Sequence, residues 1–152
     1  MLDEAQKLVG KNRLEWVGRQ APEFVLRDFE GHRVGGPEVG GKAILLDFWG
    51  TYCGPCREEM PLIARLSGEY RSKGLEVWGV TDDSPSTARK WMTKNKVALP
   101  ILLDQTRSAF DKFEVDSIPV LVLIGKDGKV AEYWLGMQYE RDLRAAIEKA
   151  LR

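Results

Sequence analysis

Short apolar runs and amphipathic stretches alternate along this chain, and their spacing predicts most of its elements. Residues 23–35, "EFVLRDFEGHRVG", read as a hairpin with Glu30-Gly31 in its turn. "GPEVGGK" (36–42) reads as loop. "AILLDFWG" (43–50) is a continuous apolar run broken by one acid, Asp47. Such a run fits a strand buried on both faces of a sheet covered by helices. Residues 55–74 follow as a helix, with Cys56, Met60, Ile63, Ser67 and Tyr70 on one stripe. Pro61 lies inside it and removes a backbone hydrogen bond, and Gly74 is placed to end it. "LEVWGVT" (75–81) is a second buried strand. Ser84 and Pro85 carry a helix-start signal within 82–96. "LPILLD" (99–104) is a short strand and 106–113 a short helix. Strands over 119–125 and 129–134 make a hairpin about Lys126-Asp127-Gly128. Residues 140–152 are an amphipathic helix with Leu143, Ala146, Ile147 and Leu151 on one side. At the front, 3–11 is expected as a short helix, giving an N-terminal helical extension (1–17) before a domain over 18–152.

The order predicts an α/β fold. Alternating strands and helices make parallel crossover units, and the closing hairpin adds antiparallel strands. The result is one mixed central β-sheet flanked by helices. Cys53 falls just past the C-terminal end of the first buried strand, and Cys56 falls in the first turn of the next helix. Open α/β sheets carry their sites at such strand ends.

Composition narrows the function classes. A chain of 152 residues suits one domain. At that size roughly 68–70% of the unfolded surface is hidden on folding, enough for a core without staples. Lys plus Arg and Asp plus Glu number 23 each and are interspersed, so no basic face invites nucleic acid. No apolar run approaches the roughly 20 residues of a membrane helix, and no membrane contact is expected from this segment. "MLDEAQKLVG" lacks the basic start and apolar stretch of a secretory signal. That fits a cytosolic protein or a domain of a longer exported chain.

The two cysteines admit three readings. A zinc site wants about four ligands; there is no second C-x-x-C, and the sole histidine, His32, lies in a predicted turn. No metal is therefore expected. Inert core thiols are common, but a Gly-Pro loop opening a helix is a poor place for mere filling. A redox dithiol has a mechanism. The thiolate is the attacking species, and a helix N-terminus stabilises it with unpaired N–H groups and the positive end of the dipole. Gly54 frees the backbone, and Pro55 gives up an N–H that is unpaired there anyway. Cys53, nearer the loop, is the expected attacking thiol and Cys56 the resolving one.

"FWGTYCGPCREEMP" resembles the active-site region of the bacterial TlpA/ResA-type thiol–disulfide oxidoreductases, of thioredoxin fold and related to the AhpC/TSA proteins. The resemblance runs through "APEFVLRDFEGHRV", "LEVWGVTDD", "SIPVLVLIGKDGKV" and the last helix, from about residue 18 to the end. It implies a thioredoxin fold with an N-terminal β-hairpin and an inserted α-β unit near 82–103. It implies a redox-active disulfide in place of any cofactor, protein thiol or disulfide substrates, a redox partner protein and a monomeric chain. It also implies an extracytoplasmic setting. The family includes reductants that keep cytochrome haem-binding thiols reduced.

The resemblance also implies roles. Asp47 matches the buried acid that assists proton transfer at the resolving cysteine; its bland alternative is a strand-edge acid facing water. Glu59, three residues after Cys56, matches an acid associated with the active site; its alternative is an ordinary exposed helix glutamate. Ile118-Pro119 resembles the cis-proline loop that faces the cysteines and pairs with substrate, although Val120 stands where relatives often carry Thr. Trp49 and Tyr52 flank the motif as packing aromatics and as substrate surface, and many relatives have Trp where this chain has Tyr52. Two other functions compete. A peroxidase of the peroxiredoxin branch wants Thr or Ser three residues before its cysteine, where this chain has Gly50. A thioredoxin-like module that only binds is disfavoured by the intact cysteine pair. Gly-Pro between the cysteines leans towards reduction.

Overall fold

The computed structural model describes residues 13–152, so the helix expected over 3–11 lies outside the described residues. The strands are β1 (Val25–Arg27), β2 (Arg33–Gly35), β3 (Ala43–Trp49), β4 (Leu75–Thr81), β5 (Ile101–Leu103), β6 (Val120–Ile124) and β7 (Val130–Leu135). The helices are α1 (Gly54–Tyr70), α2 (Pro85–Lys94), α3 (Ser108–Lys112) and α4 (Glu140–Ala150), preceded by a helical turn at 13–16. The strands form one mixed seven-stranded sheet in the order β2-β1-β5-β4-β3-β6-β7. β3, β4 and β5 run parallel; the hairpin β1–β2 and the pair β6–β7 are antiparallel additions at the two sides.

Side-chain alternation splits the core into two layers. Ile44, Leu46 and Phe48 face one way, onto Phe110, Phe113 and Trp16. Ala43, Leu45 and Trp49 face the other way, onto Cys56, Met60 and Ile63 of α1 and Leu143 and Ile147 of α4. All seven residues of β3 are buried, as the unbroken apolar run predicts.

Element ends follow local chemistry. Ser84 Oγ accepts from Thr87 N at the start of α2, with Pro85 in the first turn. α1 ends at Tyr70, earlier than the periodicity suggests; a 3-10 turn (Arg71–Lys73) follows, and Gly74 closes it at φ +100°. The hairpin turn before β2 is held by Asp28, whose Oδ1 accepts from Glu30 N and His32 N. The predicted helix 106–113 is shorter, because Arg107 takes a left-handed conformation (φ +61°). The cap comes instead from Asp104, which is buried and accepts from Ala109 N and Phe110 N at 3.0 and 2.9 Å.

Trp16 belongs to this core. It is fully buried, with ring centroids 5.8 Å from Phe113 and 5.4 Å from Tyr133. Trp16→Ala is expected to lower unfolding free energy by about 3–5 kcal/mol, the usual cost of emptying a buried aromatic site. Urea denaturation measures it; a loss under about 1 kcal/mol would show that residues before β1 are dispensable to the domain.

Candidate active site

β3 delivers the chain to the site. Gly50–Tyr52 connect it to α1, and Cys53 occupies the N-cap of α1 in extended conformation. Cys53 Sγ accepts the N–H of Cys56 at 3.3 Å, so one orphan amide of the helix start points at this sulfur. Pro55 sits in the first turn, where its missing N–H costs nothing. Cys53 and Cys56 are joined as a disulfide, with Cα atoms 5.2 Å apart, within the ordinary span of about 4.4–6.8 Å. Cys53 is 9% exposed and Cys56 1%, which makes Cys53 the sulfur a partner reaches first.

The loop before β6 closes over this pair. The Ile118–Pro119 peptide is cis. The Ile118 carbonyl oxygen lies 3.7 Å from Cys53 Sγ. Pro119 is buried, and its carbonyl accepts from Gly136 N at 2.8 Å, tying the loop to the end of β7.

Two carboxylates lie beneath. Asp47 shares the alternation of Leu45 and Trp49 and so points to the α1 face. It is 2% exposed, and its Oδ1 meets no donor among the described residues. Burial, then the neighbouring Glu59 charge, holds the Asp47 carboxyl well above the usual carboxylate range. Glu59 is equally buried on the inner face of α1, unlike the exposed Glu58. Burial raises its pKa, and the N–H donated by Gln138 to Oε2 at 2.8 Å opposes the rise. The water-facing alternatives for both acids are thereby excluded.

Trp49 departs from the expectation of a substrate surface. It is fully buried, its ring packed on Trp91 at 5.3 Å, because β3 points it inward beneath α1. Gly79 on β4 leaves the room: a Cβ there would come within 2.8 Å of Trp49 Nε1. Tyr52 is on the surface and 62% exposed. Gly54 is half-buried, Pro55 exposed and Ile118 half-buried around the disulfide.

Sequence reasoning missed a polar frame around this loop. Asp83 Oδ2 accepts from Thr51 N at 2.8 Å, and Asp83 also takes the Thr51 and Thr81 hydroxyls. Arg57 donates to the Thr51 carbonyl at 3.0 Å. Tyr52 Oη donates to Asp82 Oδ1 at 2.8 Å, and Asp82 is paired with Arg107. The available signal was "TDD" (81–83), two acids just past a buried parallel strand, at the same sheet end as the cysteines. Among the described residues, those that come nearest to a metal-ligand set, Asp28, Glu30 and His32, sit on the β1–β2 turn, where Asp28 is already engaged by backbone N–H groups.

Asp47 makes stability depend on pH. Unfolded Asp releases its proton near about pH 3.9, whereas folded Asp47 keeps it to higher pH. The stability from that protonation is full below the unfolded value and is lost as pH rises through the folded one. Asp47→Asn is therefore expected to match the wild type near about pH 4 and to become progressively more stable than it towards about pH 8. Urea titrations across that range measure the difference, and Glu59→Gln should narrow it by removing the neighbouring charge. A difference that is flat with pH would contradict the burial argument.

Comparison with known proteins agrees with this geometry. The profile of the AhpC/TSA family matches residues 17–133. The thiol-disulfide oxidoreductase ResA of Bacillus thuringiensis (strain Al Hakam) is 32% identical over 134 residues, covering 88% of this chain and 78% of that one. ResA of Bacillus subtilis (strain 168) is 35% identical, covering 81% of this chain and 69% of that protein. Among solved structures, a protein provisionally assigned as thiol:disulfide interchange protein DsbE from Chlorobium tepidum superposes with a TM-score of 0.83 at 28% identity. That match covers 90% of this chain and 98% of the other. With its cysteine pair at the head of α1 and a thioredoxin-like sheet behind it, the chain belongs to the AhpC/TSA family, among its ResA-like members.

Proposed function

We propose that this chain exchanges the Cys53–Cys56 dithiol for disulfides in protein substrates and runs as a reductase. The observation that carries the reading is the Cys53–Cys56 pair itself, capped on a helix N-terminus and facing the cis-proline loop. In the reduced protein the Cys53 thiolate attacks one sulfur of a substrate disulfide. The substrate S–S bond breaks, one substrate sulfur leaves as thiolate, and a mixed disulfide forms on Cys53. Cys56 then loses its proton and attacks Cys53 Sγ. The second substrate thiol departs, and two electrons have passed from the Cys53–Cys56 pair to the substrate.

The surrounding residues divide the work. The Cys56 N–H that reaches Cys53 Sγ stabilises the thiolate. Asp47, buried behind α1, is suited to take the Cys56 proton, and Glu59 tunes that acid through its charge. Ile118 and Pro119 offer backbone to an extended substrate beside the sulfur, and Tyr52, Gly54 and Pro55 form the rim. The chemistry stores its electrons in the sulfur pair and requires no cofactor. A second protein must return two electrons to the disulfide after each turnover. We assign the chain to an extracytoplasmic setting, as a monomeric domain supplied with electrons by such a partner; the likeness to ResA supports this. There the medium is oxidising, so a reductase depends on that supply. Among the described residues no helix is long and apolar enough to cross a membrane. The peroxidase alternative is weakened further, because the Thr51 hydroxyl is committed to Asp83.

Cys53→Ser is expected to abolish reduction of insulin disulfides, and Cys56→Ser to accumulate mixed disulfides visible on non-reducing gels. Ordinary turnover by either variant would overturn the division between attacking and resolving thiols. Equilibration with thiol buffers at pH 7 is expected to give a potential near or below about −270 mV, the thioredoxin range. A value near about −120 mV would reverse the direction to oxidation.

A further inference from the structure

Tyr52 is an exposed ring on the residue before the attacking cysteine, yet its surroundings fix it. Its hydroxyl donates to Asp82 at 2.8 Å. Its ring lies against the backbone of Gly50, where a Cβ would come within 2.5 Å of Cε1. The preceding residue, Thr51, is pinned through its N–H by Asp83 and through its carbonyl by Arg57. Asp82 is held in turn by Arg107. Arg107 is itself anchored. Its backbone takes a left-handed conformation that non-glycine residues adopt at a cost, its N–H is bound by the Asp104 carbonyl, and its guanidinium lies 4.5 Å over the buried Phe110 ring. A chain of contacts thus runs from the core under α3 to the rim of the disulfide. Asp82 spends both oxygens inside this chain, one on Tyr52 and one on Arg107, and so is committed within the fold.

We infer that Asp82 and Arg107 are positioning residues for polypeptide recognition: they hold Tyr52 as a fixed aromatic wall beside Cys53, against which an apolar residue flanking a substrate disulfide packs. The inference rests on the dithiol–disulfide reading above. A ring whose hydroxyl is turned to Asp82 presents its edge and face to a partner as apolar surface. Fixing it beforehand removes the entropy a free side chain would lose on binding. A small disulfide without a peptide chain has nothing to place on this wall, so the clamp discriminates between polypeptide and small-molecule disulfides.

The test uses the reduced protein in single-turnover mixing, followed by tryptophan fluorescence. Two oxidants are compared: insulin, a polypeptide disulfide, and hydroxyethyl disulfide, which has no peptide. Asp82→Ala and Arg107→Ala are each expected to lower the ratio of the insulin rate constant to the hydroxyethyl disulfide rate constant by about 3- to 10-fold, the scale of one lost hydrogen bond. Asp82→Asn, which keeps an acceptor for the tyrosine but loses the charge facing Arg107, should fall between these and wild type. Adding Tyr52→Phe to Asp82→Ala should cost no further selectivity, because both act through the same ring. An unchanged ratio, equal losses with both oxidants, or additive losses in the double variant would overturn the clamp. If wild type is oxidised by both reagents and the variants lose no selectivity, the clamp alone falls. If wild type is oxidised by neither, the dithiol assignment fails and takes the clamp with it.

Discussion

Everything in this molecule hangs from β3, a seven-residue strand with no residue exposed on either face. It is hydrogen-bonded to β4 along one side and β6 along the other, with Asp47 opposite Gly79 and Leu121. A strand held in this way cannot slide by one residue without exchanging its two buried faces. Its register therefore fixes which residue meets α1, how deep Asp47 lies, and where Cys53 emerges. The same strand carries the middle of both core layers, so stability and the position of the thiols derive from one set of contacts.

Burial of two acids beneath a redox pair sets a preference between them. Only Glu59 receives a backbone N–H, from Gln138, while Asp47 Oδ1 has no donor among the described residues. In a low-dielectric setting two neighbouring carboxylates resist ionising together. Asp47, which lacks a donor, is therefore the harder of the two to ionise and, once ionised, the stronger base. The core thus encloses both acids between β3 and α1, without either facing water.

Much of this was readable from sequence, because it is written in local signals. The apolar run at 43–50, the Ser-Pro start of α2 and the turn at 126–128 each declare themselves within a few residues. The cysteine spacing, with Gly-Pro between, announced the chemistry. The interior and exterior acids of α1 were harder, since Glu58 and Glu59 are adjacent and only the packed helix decides which one turns inward. Proximity to the motif suggests a substrate surface for Trp49 beside its packing role, and strand alternation, which groups it with Leu45 in the core, leaves only the packing role. The frame made by Asp82, Asp83 and Arg107 joins three separate segments of chain. No periodicity records a contact across 25 or 32 residues.

The cis-proline loop and Gln138 lie 65 and 79 residues downstream of the groups they meet. During synthesis from the N-terminus, both cysteines therefore leave the ribosome well before Ile118 or Gln138 exists. For that interval the thiols stand on a nascent chain without the cis-proline loop that faces Cys53 or the amide that holds Glu59. Their selectivity is a property acquired late, near the completion of β7. Until then the pair is ordinary sulfur, open to whatever oxidant or unpaired thiol the compartment holds. Newly made chains thus depend on their surroundings for the right sulfur state before they can govern it in others.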